Sequence, residues 1–274
     1  MKRKLSTLVV ALALATLFGA GIHAITNGVP DGDDHPYVAF LLFYAPDAEG
    51  NIVPQWTCSG SLISERVVLT AGHCTEIGPG LGNAAKVEVW FDSDVLGAGF
   101  PGGGIESANL HTHPDFSWRQ YASLRWDTID VGVVVLDQAV TDRRFAVLPS
   151  IGLAETLAMK TDVELVGYGA QYKAHVSGPP FGRWETNWMR YRAASQVVAS
   201  DNVNADRWLK LTANPAQGKG GVCFGDSGGP ALLAGTDLVV GTTSFANNLN
   251  CAGVVYSNRV DRDVVLDWVR SFVQ

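Results

Sequence analysis

Seven short runs rich in β-branched and aromatic residues punctuate this chain, at 37–44, 66–69, 86–91, 131–136, 162–166, 238–243 and 254–256. Each is too brief for a helix that could bury a core. Repeated at this density between turn residues, they constrain the chain to an all-β sandwich or barrel. Thirty glycines supply the tight turns and bulges that such folds need. Only the end reads as helix. From Asp263 the apolar positions Val264, Val265, Trp268, Val269, Phe272 and Val273 recur at helical spacing, a stripe expected to pack onto the body. The stretch 97–104 and Gly178-Pro179-Pro180 read as surface loops. There is no internal repeat and no long linker.

Lys2-Arg3-Lys4 followed by the apolar run 5–18 reads as a signal peptide, the run being too short to span a bilayer as a helix. The small residue Ala24 suits the last position before cleavage. Removing 1–24 leaves about 250 residues, enough for a single compact domain or two tightly joined halves. No later segment is long and apolar enough for a membrane span, so the mature chain is expected to be soluble and secreted, without a membrane partner. The chain carries 20 basic and 27 acidic side chains; losing Lys2, Arg3 and Lys4 leaves 17 against 27, which argues against nucleic acid as a partner. An exported chain with Cys58, Cys74, Cys223 and Cys251 is expected to hold two disulfides, for which the spacing allows three pairings. Zinc is not expected, because there is no C-x-x-C pair.

Two motifs carry chemistry. Gly225-Asp226-Ser227-Gly228-Gly229-Pro230 exposes a serine among small residues, and Leu69-Thr70-Ala71-Gly72-His73-Cys74 offers an imidazole far upstream. Serine is a weak nucleophile at neutral pH and needs a base to take its proton. Gly225 to Gly229 also fits G-x-S-x-G, the nucleophile elbow of α/β-hydrolases. That fold requires a histidine after the serine, and the last histidine here is His175, so the elbow reading fails on order. The order His, Asp, Ser remains. A carboxylate that orients a histidine must be buried and held. Asp130 opens the apolar run 131–136, whereas Asp127 lies in a polar turn and Asp137 at the far end; Asp130 is the choice and Asp127 the runner-up. His111-Thr112-His113 could ligate a metal, but nothing nearby completes a coordination shell and no metal is expected.

Motif by motif, the chain resembles the chymotrypsin/trypsin-like serine peptidases. Thr70-Ala71-Gly72-His73-Cys74 is similar to the family's histidine motif, Gly225 to Pro230 to its serine motif, and Asp130-Val131-Gly132-Val133-Val134-Val135-Leu136 to its aspartate motif. Weaker echoes are Ile25-Thr26-Asn27-Gly28, Trp56-Thr57-Cys58-Ser59-Gly60-Ser61-Leu62-Ile63, His113-Pro114 and Val166-Gly167-Tyr168-Gly169, so the likeness runs from Ile25 nearly to the end. It implies an all-β fold of two packed six-stranded antiparallel Greek-key barrels with a C-terminal helix. Residues 25–145 would bring His73 and Asp130; residues 146–274 would bring Ser227, the oxyanion hole and the primary pocket.

The same resemblance implies a role for each site residue. Ser227 is the nucleophile, His73 the base and Asp130 its orienting carboxylate, with the N–H groups of Gly225 and Ser227 forming the oxyanion hole. Asp226 pairs with the new α-amino group of Ile25 after cleavage. The disulfides are Cys58–Cys74 and Cys223–Cys251, each worth ~3 kcal/mol in the chain-entropy model. Gly221 lies at the base of the primary pocket, or Gly220 or Val222 if the register slips by one. Ser244, Phe245 and Ala246 form its wall, and Gly253 or Val254 completes it. With no carboxylate available, apolar P1 side chains are favoured over basic ones; an acidic preference drawn from Lys219 is the weaker reading. Changing Gly221 to Asp is expected to move preference toward basic residues. The loops 97–104 and 178–180 would border the cleft or be plain solvent loops. No cofactor is required, partners are polypeptide substrates and protein protease inhibitors, and the chain is expected to act as a monomer. The alternative is a catalytically silent relative acting as a binding protein, which the presence of all three site residues disfavours.

Overall fold

The run beginning at Val38 is apolar at nearly every position because the strand it forms, Val38–Pro46, is buried along almost its whole length. It lies mid-sheet, antiparallel to Ile52–Ser64 on one side and Lys86–Trp90 on the other. In this computed structural model the described residues are 25–78, 82–123, 127–174, 183–198 and 206–273. The signal segment 1–24, its cleavage point after Ala24 and the loop Gly178-Pro179-Pro180 fall outside them.

The first sheet has the order Ile105–Ser107, Lys86–Trp90, Val38–Pro46, Ile52–Ser64, Val67–Thr70, Gly132–Val135, Leu110–Thr112. Its two edges are the halves of one bent strand, parted only by Ala108 and Asn109. The sheet therefore closes on itself, and its seven strands count as six. The second sheet runs Val29–Pro30, Tyr191–Gln196, Asp162–Gly167, Pro230–Leu233, Val239–Ala246, Gly253–Arg259, Trp208–Ala213. It closes where Val197 bridges Leu211 and Val198 N–H donates to the Lys210 carbonyl at 2.9 Å. Its seventh strand, Val29–Pro30, is an addition from the N-terminal segment, pairing with Arg192 and Tyr191. The expected two barrels and terminal helix are thus the architecture.

All seven expected runs become strands, with ends moved by up to three residues. Strands outside these runs were not legible, and four of them are the longest of that group in the two sheets. Ile52–Ser64 carries Pro54, Gln55 and Gly60, Tyr191–Gln196 and Trp208–Ala213 are polar or small at many positions, and Pro230–Leu233 is a run of four that opens on a proline; all become strands by pairing with their neighbours. The terminal helix is Asp263–Arg270, and its buried face is Val265, Leu266 and Val269, while Val264 is exposed. That face joins the core containing Val133 and Val134, and Trp268 and Phe272 contact His113 and His111. The loop 97–104 is no free solvent loop: Glu88, buried in its strand, accepts the N–H groups of Gly102, Gly103 and Gly104 at 3.1, 2.9 and 2.9 Å through one oxygen.

Between the barrels lies a buried arginine. Arg190 donates to Asp31 at 2.8 Å, to the carbonyls of Gly32, Val38 and Phe91, and to the Tyr168 hydroxyl. His35 Nδ1 meets the other Asp31 oxygen at 2.6 Å. Burial alone would raise the Asp31 carboxyl, but His35 and Arg190 outweigh it and hold it below the usual carboxylate range. That stability is present above about pH 4 and lost as pH falls through the lowered value. Arg190→Leu leaves Asp31 charged and buried, and is expected to cost about 3–5 kcal/mol in urea unfolding at pH 7. The loss should shrink in the double variant with Asp31→Asn.

Candidate active site

His73 sits on the single helical turn Gly72–Thr75 that follows strand Val67–Thr70. The Cys58–Cys74 disulfide fastens that turn to Ile52–Ser64. Because Gly132 pairs with Thr70, the residue two before it arrives beside the imidazole. Asp130 is fully buried. Its Oδ1 accepts the backbone N–H of His73 at 2.8 Å, and its Oδ2 lies 2.8 Å from His73 Nδ1. The Ser244 hydroxyl, reaching across from the second barrel, also donates to Oδ2. Burial pushes the Asp130 carboxyl up, but His73 and Ser244 prevail and keep it below the usual range. A carboxylate on Nδ1 places the proton there and leaves Nε2 as the free base. Asp127, the runner-up, is exposed and pairs with Arg207 at 2.8 Å, away from His73.

The sequence gives no warning of what covers the imidazole. Residues Trp118–Ser123 form a short helix, and Tyr121 stacks on His73 with ring centroids 4.9 Å apart and planes at 24°. Trp118 meets the same ring edge-on at 6.3 Å. The only available signal is the aromatic spacing Phe116, Trp118, Tyr121 between His113-Pro114 and Asp130.

The serine turn is fixed through its carbonyls. Phe224 C=O accepts Ala170 N–H at 2.7 Å, Asp226 C=O accepts Gly229 N–H at 2.9 Å, and Ser227 C=O accepts Ser59 N–H at 2.7 Å. Gly225 C=O accepts the Ser59 hydroxyl at 2.9 Å. In a trans peptide N–H points opposite to C=O. Pinning the carbonyls of Phe224 and Asp226 therefore aims the N–H groups of Gly225 and Ser227 the other way. Among the described residues neither N–H has an acceptor. Gly225 needs to be glycine: its φ is +99°, and a Cβ there would meet Gly169 Cα at 3.1 Å.

His73 and Ser227 face one cleft of about 340 Å³, lined also by Tyr121, Phe224, Ser244, Phe245 and Leu249. Val222 and Ala246 are on its wall, with the Cys223–Cys251 disulfide. Two expected pocket residues are not. Gly253 is exposed outside the lining, and Gly221 is buried behind it, donating N–H to Thr26 C=O at 3.0 Å. A Cβ on Gly221 would approach Ala213 Cβ to 2.5 Å, so Gly221→Asp is expected to disrupt packing instead of redirecting specificity. Lys219 pairs with Asp162 at 3.0 Å and does not line the cleft. No residue of the loop 97–104 lines it.

Comparison with known proteins decides the family. Residues 27–269 match the family model described as Trypsin. The chain belongs to the trypsin family of serine endopeptidases. It is 28% identical to serine protease SP24D of Anopheles gambiae, over 84% of this chain and 74% of that one. It is 26% identical to a collagenase of Hypoderma lineatum, over 89% and 88%. In fold it is similar to the structure of HL collagenase, with TM-score 0.63, 21% identity and coverage of 87% and 94%. It is likewise similar to human heparin binding protein, with TM-score 0.62, 19% identity and coverage of 89% and 94%.

Further residues of this trypsin-family chain were expected to act at the site, and the pair His111 and His113 was weighed as a metal site and set aside. Asp226 is buried and accepts N–H groups from Gly169 at 2.7 Å and Cys223 at 2.8 Å. A Cβ on Gly169 would collide with that carboxyl. Ile25 is buried in the core of the second barrel with Val163, Leu165 and Val222, and the next residue, Thr26, bridges Gly221. Cys58, Cys74 and His73 come within ligand distance of one another, but the two sulfurs are bonded together and offer no metal site. His111 Nε2 lies 2.7 Å from Asn109 Oδ1, and His113 Nε2 lies 3.3 Å from the Val264 carbonyl, so this pair packs against the terminal helix.

Burial pushes the Asp226 carboxyl up to about 7, and its two backbone donors do not offset that. A folded value above the unfolded one means that the unfolded chain binds fewer protons in between. Stability from the neutral carboxyl is therefore full below about pH 4 and lost as pH rises through about 7. In chain still joined at Ala24–Ile25 and carrying Ser227→Ala, the urea midpoint should fall between pH 4.5 and 7.5. Asp226→Asn should remove most of that fall.

Proposed function

We propose that this is a secreted endopeptidase that cleaves polypeptides after apolar residues through an acyl-enzyme on Ser227. The observation that carries the reading is Asp130, which holds both the backbone N–H and Nδ1 of His73 while Nε2 is left for a cleft that Ser227 shares. Ser227 Oγ attacks the scissile carbonyl as His73 Nε2 takes its proton. The oxyanion that forms accepts the N–H groups of Gly225 and Ser227. His73 then protonates the leaving amine, water enters, and the same groups hydrolyse the ester. Asp130 stabilises the imidazolium without taking the proton. Leu249, Phe245, Val222 and Ala246 give the cleft an apolar wall, and among the described residues no Asp, Glu, Lys or Arg lines it. A desolvated Arg or Lys side chain would find no counter-charge there.

A fluorophosphonate should label Ser227 in the secreted protein. Ser227→Ala and His73→Ala should abolish nearly all turnover. Asp130→Asn should lose about 10⁴ in kcat, the loss that the family's triad chemistry implies, and Asp127→Asn should lose little. Failure to label, or greater damage from Asp127→Asn, would overturn these roles. With a peptide library varied at P1, Leu, Phe, Tyr and Met should exceed Arg and Lys by about tenfold or more, a difference of about 1.4 kcal/mol.

Activation follows from the Asp226 site. An α-ammonium at Ile25 would supply the cation that a buried carboxylate needs, and cleavage after Ala24 would create it. If the signal cut falls there, export and activation coincide; if it falls after Ala20, a remnant from Gly21 to Ala24 must be removed. Active material should begin at Ile25 by N-terminal sequencing, and Asp226→Asn should be nearly inactive. Full activity from a chain that begins elsewhere would sink the switch.

A further inference from the structure

We propose that Ser59 is a positioning residue for the oxyanion hole: its hydroxyl, supplied by the first barrel, sets the peptide plane that lies between the two amide donors. The inference rests on reading Ser227 as the nucleophile. The Gly225 and Ser227 amides are joined by the peptide from Gly225 to Asp226, and rotation of that plane changes the angle between the two donors. On either side of it, the carbonyls of Phe224 and Asp226 are held by backbone N–H groups within the second barrel half, from Ala170 and Gly229. The middle carbonyl, Gly225, is held by the Ser59 side chain at 2.9 Å.

Ser59 is built to hold still. It is fully buried. The hydroxyl that donates to Gly225 accepts the Tyr168 N–H at 3.0 Å, so its own proton has one direction to take. Its backbone N–H holds the Ser227 carbonyl at 2.7 Å, and its carbonyl receives the Thr70 hydroxyl at 2.8 Å. One residue on Ile52–Ser64 thereby fixes both ends of the turn that carries the donors and ties it to Tyr168, next to the Gly169 amide on Asp226. Two of the groups that position the hole thus come from the opposite barrel, although both oxyanion-hole donors lie in the serine loop.

The test uses the secreted, processed protein with Ser59→Ala and Ser59→Cys, sites titrated by fluorophosphonate, and a chromogenic peptide amide with an apolar P1. Per titrated site, kcat should fall about 10- to 100-fold, below the loss expected for deleting a donor outright. KM should change less than threefold. The Ki of a peptidyl trifluoromethyl ketone, whose adduct places an oxyanion in the hole, should weaken by the same factor as kcat/KM. Ser59→Cys keeps a weak donor and should fall between parent and Ser59→Ala. Unchanged kcat and Ki per site in either variant overturns the assignment. So does a loss confined to the number of titratable sites, or the absence of folded protein from both variants, since either outcome makes the hydroxyl a folding determinant only. A parent that neither takes the label at Ser227 nor cleaves the peptide fails the functional reading, and this assignment falls with it.

Discussion

Charge taken out of water sets the terms on which the two barrels meet. A buried carboxylate costs several kcal/mol unless hydrogen bonds or an opposite charge replace its lost water. Asp31, on the N-terminal segment, is answered by Arg190, which immediately precedes the second-barrel strand Tyr191–Gln196. Asp130, from the first barrel, is answered by His73 and by Ser244 of the second. Arg190 also donates to the first-barrel carbonyls of Val38 and Phe91, and Ser244 reaches Asp130 from the second barrel, so both charged groups tie the halves together across the seam. Asp226 differs: its partners are amides alone, and it is the one of the three in which burial prevails and the carboxyl ends up raised. The same physics that locks two of these groups leaves the third poised for a cation.

The parts of the site that were legible in the sequence are those whose chemistry demands a fixed local pattern. A serine turn that points two amides outward needs glycine at Gly225, and a carboxylate that meets a histidine on the neighbouring strand needs to open an apolar run, as Asp130 does. Strand positions were legible where burial on both sides leaves an unbroken apolar run, as in Val38–Pro46. Where a strand is half polar, as Tyr191–Gln196 is, only its neighbours reveal it.

What stayed hidden depends on residues distant in sequence. Six residues of helix show no periodicity, so nothing marked Tyr121 as the cover of His73. Nothing marked Arg190 and Glu88 as buried, because a single charged residue carries no sign of the backbone groups that will surround it. The role given to Gly221 failed for the same reason: spacing from Ser227 is a count along one chain, while the space behind Gly221 is filled by Ala213 from another strand.

The ends of the chain are exchanged between the halves. Val29–Pro30 completes the edge of the second sheet, and helix Asp263–Arg270 covers apolar surface of the first. Domains commonly fold one after another as they emerge from the ribosome. Here the helix that covers the first barrel comes more than a hundred residues after that barrel's strand Gly132–Val135, while the strand that borders the second waits more than a hundred residues for its partner. The first barrel therefore keeps that apolar surface uncovered until the strands of the second have been synthesised.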